Sequence, residues 1–184
     1  MKIVLVHGFN VRDKGEHTVD KLEPYFPKDW EIEKDAADYG FFNLWAVRFR
    51  KRPAIRRIAI ALEDADAVIA HSNGANYVLK ALKLIQRPNA VSVFFLSPAA
   101  SRKAKFAESV RKAVVYFTKV DIPVFFAGFL PFHSWGWMGF RGAKTDDPRI
   151  TNRDCTDIVG SHSDYFSKGN APFVAGNIEK ELKK

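Results

Sequence analysis

A single cysteine, Cys155, is too few for an internal disulfide, so no cross-link within the chain holds this fold and a cytoplasmic, reducing setting is expected. No run approaches the ~20 uninterrupted apolar residues that a membrane-spanning helix needs. The stretch Met1 to Val6 is too short for a signal-peptide core. Of the five histidines, four lack a second His or Cys at ligand spacing and His7 has only a distant partner, so no metal site is expected. Internal repeats, low-complexity tracts and linkers are absent too, and one domain over residues 1–184 is the expectation.

What the chain does have is bulk for a core. Hydrophobic residues make up 47% of it, with 16 Phe, 5 Tyr and 4 Trp, and a chain of this size buries roughly 70% of its unfolded surface. The net charge is +8, which suits a polyanionic partner or an anionic substrate and says nothing about fold. Six of the cations, Arg48, Arg50, Lys51, Arg52, Arg56 and Arg57, fall within residues 48–57 with no acid among them. Ile55, Ile58, Ala59 and Leu62 repeat at helical spacing through the same region, so an amphipathic helix with Pro53 near its first turn is predicted. Its arginines read either as a solvated face or as a surface for nucleic acid or another polyanion.

Short β-branched runs alternate with helical patterns along the chain. Strands are predicted at residues 2–6, 30–33, 67–70, 90–96 and 113–117, with an edge strand within 149–158. Helices are predicted at 18–26, from Pro53, after Ser72, from Ser101 to about Lys112, and at 172–182. Residues 128–142 hold Phe129, Phe132, His133, Trp135, Trp137 and Phe140 among four glycines, without helical or strand period, and read as a long ordered loop or a broken helix. Together these patterns give an α/β chain with a mostly parallel sheet of about six strands and helices on both faces.

The chemistry converges on residues 67–79. Ala67 to Ala70 is a buried-strand pattern, and Ala75, Val78, Leu79 and Leu82 are helical in spacing. Between them stands Ala70-His71-Ser72-Asn73-Gly74, small-x-Ser-x-Gly, where small residues let strand and helix backbones pass closely. A serine there suits a plain helix cap or a hydroxyl pushed out over the sheet on a strained turn. The first strand ends in His7-Gly8, with His7 read as a packing residue. Asp121 lies just past the strand at 113–117, and His162 sits in the Gly160-Ser161-His162-Ser163 loop near the end. Asp146, Asp147, Asp154 and Asp157 also precede His162 and remain alternative acids. His71 is expected to point away from the site, and His17 to start a helix. Asn73 and Asn76 are read as packing and capping residues.

The elbow, the His-Gly strand end and the late histidine loop resemble the α/β-hydrolase superfamily, in a small lidless form similar to carboxylesterases and lipases. Ala70 departs from the family's usual glycine. The resemblance implies a serine hydrolase cleaving an ester or thioester, with Ser72 as nucleophile, His162 as general base and Asp121 as orienting acid. It further implies an oxyanion hole from the backbone N–H groups of Phe9 and Asn73, and no metal or organic cofactor. Tyr39, Trp135 and Trp137 are candidate pocket residues. The other reading is a non-catalytic scaffold whose basic 48–57 segment binds nucleic acid or another polyanion. Oligomeric state is left open.

Overall fold

In the computed structural model, residues 1–8, 18–34, 51–129 and 135–184 are described. Six strands form one sheet: β1 (Lys2–Val6), β2 (Glu31–Glu33), β3 (Ala67–His71), β4 (Val91–Leu96), β5 (Val110–Phe117) and β6 (Ile150–Asp154). Their order is β2-β1-β3-β4-β5-β6, and every neighbouring pair is parallel. The five helices among the described residues are α1 (Lys51–Leu62), α2 (Asn73–Ala81), α3 (Ile122–Ala127), α4 (Met138–Arg141) and α5 (Ala171–Leu182). Two 3₁₀ turns, Val19–Tyr25 and Asp164–Phe166, complete the described elements.

The strands β1, β3 and β4 read as near-continuous apolar runs because both faces of the sheet are covered there, whereas the edge strands β2 and β6 stay partly exposed. Successive side chains alternate between two cores. Val4, Val6, Val68, Ala70, Val93, Phe95 and Val115 face Ile58 and Leu62 of α1, Val78 of α2 and Met138 of α4. Ile3, Leu5, Ile69, Phe94, Leu96, Val114 and Tyr116 face Leu22, Val174 and Ile178 on the other side. On α1, Ala54 and Ile58 are buried while Arg52, Arg56 and Arg57 are exposed, as the amphipathic stripe predicts.

One expectation is corrected. Residues 101–109 form turns and irregular chain rather than a helix. Ala104, Phe106 and Ala107 pack on the core from this irregular segment, and β5 begins at Val110, which pairs with Val91. The region 122–127 is helical: Asp121 caps it and Pro123 sits in its first turn. In the aromatic stretch 128–142 the short helix α4 forms near the end, in keeping with the broken-helix reading.

Strands β1 and β3 lie side by side while their following connections leave to opposite sides, β1 toward β2 and β3 toward β4. A crevice opens at the C-terminal ends of such a pair, where the strand order reverses. His7-Gly8 and Ser72 lie at those two ends.

Candidate active site

Ser72 has φ 53° and ψ −124°, a conformation that L-residues adopt only under constraint. Neighbouring chain supplies that constraint. Its N–H donates to the Leu96 carbonyl at 3.1 Å, and its carbonyl accepts from Ala99 at 3.0 Å and Ala75 at 3.2 Å. A Cβ on Gly74 would lie 2.5 Å from the His7 carbonyl oxygen, and one on Gly8 would lie 2.9 Å from the Ser72 Cβ. Only glycine allows β1 and α2 to approach this closely. The Ser72 side chain makes no capping hydrogen bond to α2, so the plain helix-cap reading fails. Ser72 is partly exposed, whereas Asn73, whose N–H opens the helix, is buried.

Asp121 is fully buried at the start of α3. One oxygen, Oδ1, accepts from the Val124 N–H at 3.0 Å, and the other, Oδ2, accepts from His162 Nδ1 at 2.9 Å. A carboxylate accepts, so Nδ1 carries the proton and Nε2 of His162 is left as the basic nitrogen. The competing acids have other tasks. Asp147 pairs with Arg149, Asp154 with Lys119 and Thr156, and Asp146 and Asp157 are exposed.

The comparisons with known proteins separate sequence from shape. No protein-family model and no curated protein sequence matches this chain. Solved structures match nearly end to end. The ydeN gene product of B. subtilis aligns over 100% of this chain and 99% of its own, at TM-score 0.59 and 15% identity. The esterase domain of a Rhodothermus marinus protein aligns over 99% and 86%, at 0.58 and 13%. Esterase PE8 aligns over 97% and 91%, at 0.58 and 11%. The chain has the α/β-hydrolase fold.

Within this hydrolase fold the structure draws His71 into the site, contrary to expectation. Its Nε2 lies 3.1 Å from the His162 carbonyl oxygen, and its ring centroid is 4.5 Å from that of His162. No sequence rule connects residues so far apart; the only hint was a histidine directly before the elbow serine. His7 donates from Nδ1 to the Gly8 carbonyl at 2.8 Å.

Of the candidate pocket residues, Trp135 meets the elbow. Its indole N–H donates to Asn73 Oδ1 at 2.6 Å. Asn76 donates to the Ala99 carbonyl and, at 3.5 Å, to Asn73 Oδ1. The two asparagines thus tie the elbow helix to the chain after β4 and to the aromatic segment, beyond the packing and capping read from sequence. Trp137 lies elsewhere: it donates to the Phe125 carbonyl at 3.0 Å and packs on Phe129 with centroids 5.3 Å apart. Phe9, His17, Tyr39, Arg48, Arg50, Phe132 and His133 lie outside the described residues. Among the described residues no group of His, Cys, Asp or Glu could hold a metal, and no helix is long and apolar enough to cross a membrane.

Proposed function

We propose that the protein is a serine hydrolase that cleaves an ester or thioester through an acyl-enzyme on Ser72. The observation that carries this reading is the 2.9 Å hydrogen bond from His162 to the buried Asp121 carboxylate, with His162 packed on His71, the residue directly before the strained Ser72. The esterase names among the structural neighbours agree with it at the level of fold. Fold alone selects no reaction, so the assignment rests on these residues.

In this mechanism His162 Nε2 takes the proton as Ser72 Oγ attacks the acyl carbon. The Asp121 carboxylate stabilises the imidazolium that forms. The Asn73 N–H, as the first amide of α2, and the N–H of Phe9 hold the oxyanion. Collapse of the tetrahedral intermediate breaks the bond to the alcohol or thiol, which leaves with the proton from His162. Water then attacks the acyl-enzyme with His162 as base, releasing the carboxylic acid and restoring Ser72. Trp135, tied to Asn73, is assigned to the substrate pocket, and no cofactor is required. A cytoplasmic location belongs to the same proposal, since Cys155 is a lone, buried thiol.

The test is pre-steady-state hydrolysis of p-nitrophenyl acetate. A burst of one nitrophenolate per protein, absent from Ser72→Ala, is the expected result. Steady turnover that survives in Ser72→Ala would overturn the assignment.

A further inference from the structure

We propose that His71 is a positioning residue for the base: its Nε2–H donates to the His162 carbonyl, and its ring fixes the place of the His162 ring relative to the adjacent Ser72. This rests on the triad reading above and deepens it.

His162 belongs to an irregular turn between β6 and α5, not to a strand or helix that would place it. Asp121 holds one end of the residue, at the ring Nδ1. That bond alone leaves the ring free to swing about the Nδ1–Oδ2 axis. His71 supplies the second anchor at the backbone carbonyl, 3.1 Å from its Nε2. It also gives a flat surface against the ring, with centroids 4.5 Å apart at 40°. Phe166 closes the edge of His71 at 5.0 Å and 90°, so the His71 ring has little room to turn. His71 is the last residue of β3 and Ser72 follows it directly, so the anchor of the base and the nucleophile are consecutive in the chain.

The chemistry asks for a neutral donor at this point. A carbonyl only accepts, so Nε2 carries the hydrogen and Nδ1 is bare. His71 is 3% exposed, and burial drives its pKa well below the usual histidine value, with the His162 and His7 rings adding to the shift and the bond to the His162 carbonyl opposing it. The titratable groups facing it are those two histidines, on the loop after β6 and at the end of β1. A second cation at 4.5 Å would oppose the imidazolium that His162 becomes during attack. A buried neutral imidazole avoids this while still donating. Lysine or arginine would not.

The experiment compares the full-length wild type with His71→Gln and His71→Leu. The glutamine amide nitrogen occupies nearly the place of imidazole Nε2 and keeps the donor, whereas leucine keeps bulk and loses it. Each variant is checked for folding by near-UV circular dichroism. If His71→Leu does not fold, His71→Asn, whose amide is too short to reach the carbonyl, replaces it.

The expected result is a fall of about 10²-fold in kcat for His71→Leu, the scale of a misplaced catalytic group. KM should stay within about twofold, and kcat should return to within about threefold of wild type in His71→Gln. The ¹³C shift of the His162 carbonyl should move in the leucine variant and not in the glutamine variant. Wild-type labelling at Ser72 by a fluorophosphonate, with kcat unchanged in His71→Leu, would overturn the positioning role alone. Equal losses in the folded glutamine and leucine variants would overturn it too. A wild type that does not label would overturn the triad reading and the positioning role with it.

Discussion

Replacing Asp121 with asparagine separates its two tasks. Asparagine caps helices about as well as aspartate, so the bond from Val124 and the melting temperature should survive. Its amide would face His162 Nδ1 as a donor and enforce the wrong tautomer, and kcat should drop by about 10⁴. An unchanged kcat would mean that another acid serves His162. A second prediction at this scale concerns pH. The folded chain keeps His71 unprotonated because burial lowers its pKa, while the unfolded chain takes up that proton below about pH 6.5. The stability tied to this group is therefore complete above about pH 6.5 and is lost as pH falls toward the depressed folded value. Melting temperatures should decline on acidification from about pH 7.5 to about pH 5, and less steeply in His71→Gln, which has no such proton to bind. Equal slopes in both proteins would contradict it. Residue types also marked where sequence reading stops. Ser72, Asp121 and His162 carried recognisable chemistry in a recognisable order. His71 did not, because its partner is 91 positions away and only the packing of the His162 loop brings them together.

At the scale of elements, buried parallel strands were the most legible part of the chain. β1, β3 and β4 are short apolar runs buried on both faces of the sheet, while the edge strands β2 and β6 are partly exposed and carry weaker patterns. The segment 101–109 misled because Ser101 is a good cap residue and Ala104 and Ala107 have helical spacing. Contacts with the core decided instead, and they hold Ala104, Phe106 and Ala107 on a non-helical path. Helix α3 was missed because its pattern, Ile122 to Ala127, is only six residues and carries no period to read. The elbow gives the sharpest prediction here. Gly74→Ala sets a methyl group 2.5 Å from the His7 backbone oxygen and 2.8 Å from that of Val6 at the end of β1, where neither backbone can yield cheaply. It should destabilise the protein by about 3 kcal/mol, the upper part of the range for overpacking. Denaturant unfolding measures this, and a loss below about 1 kcal/mol would show that the elbow can relax. Trp135→Phe removes the indole bond to Asn73 while keeping an aromatic wall, so it should alter acyl-chain preference less than Trp135→Ala does.

For the whole molecule, the long parallel sheet and the order Ser72, Asp121, His162 made the α/β-hydrolase architecture legible where overall sequence similarity found nothing. The net charge of +8 carried no such information, and the exposed Arg52 and Arg56 on α1 fit a solvated helix face. Arg52→Glu with Arg56→Glu should leave kcat/KM for a neutral ester within about twofold of wild type. A larger change would tie the basic helix to turnover. The central claim, an activated serine at position 72, is tested most directly by treating the folded protein with a fluorophosphonate and locating the adduct by peptide mass spectrometry. The account predicts loss of fluoride, a phosphonyl group on Ser72, and no adduct in Ser72→Ala or His162→Ala. A folded wild type that stays unmodified, or a His162→Ala variant that labels as fast as wild type, would contradict it.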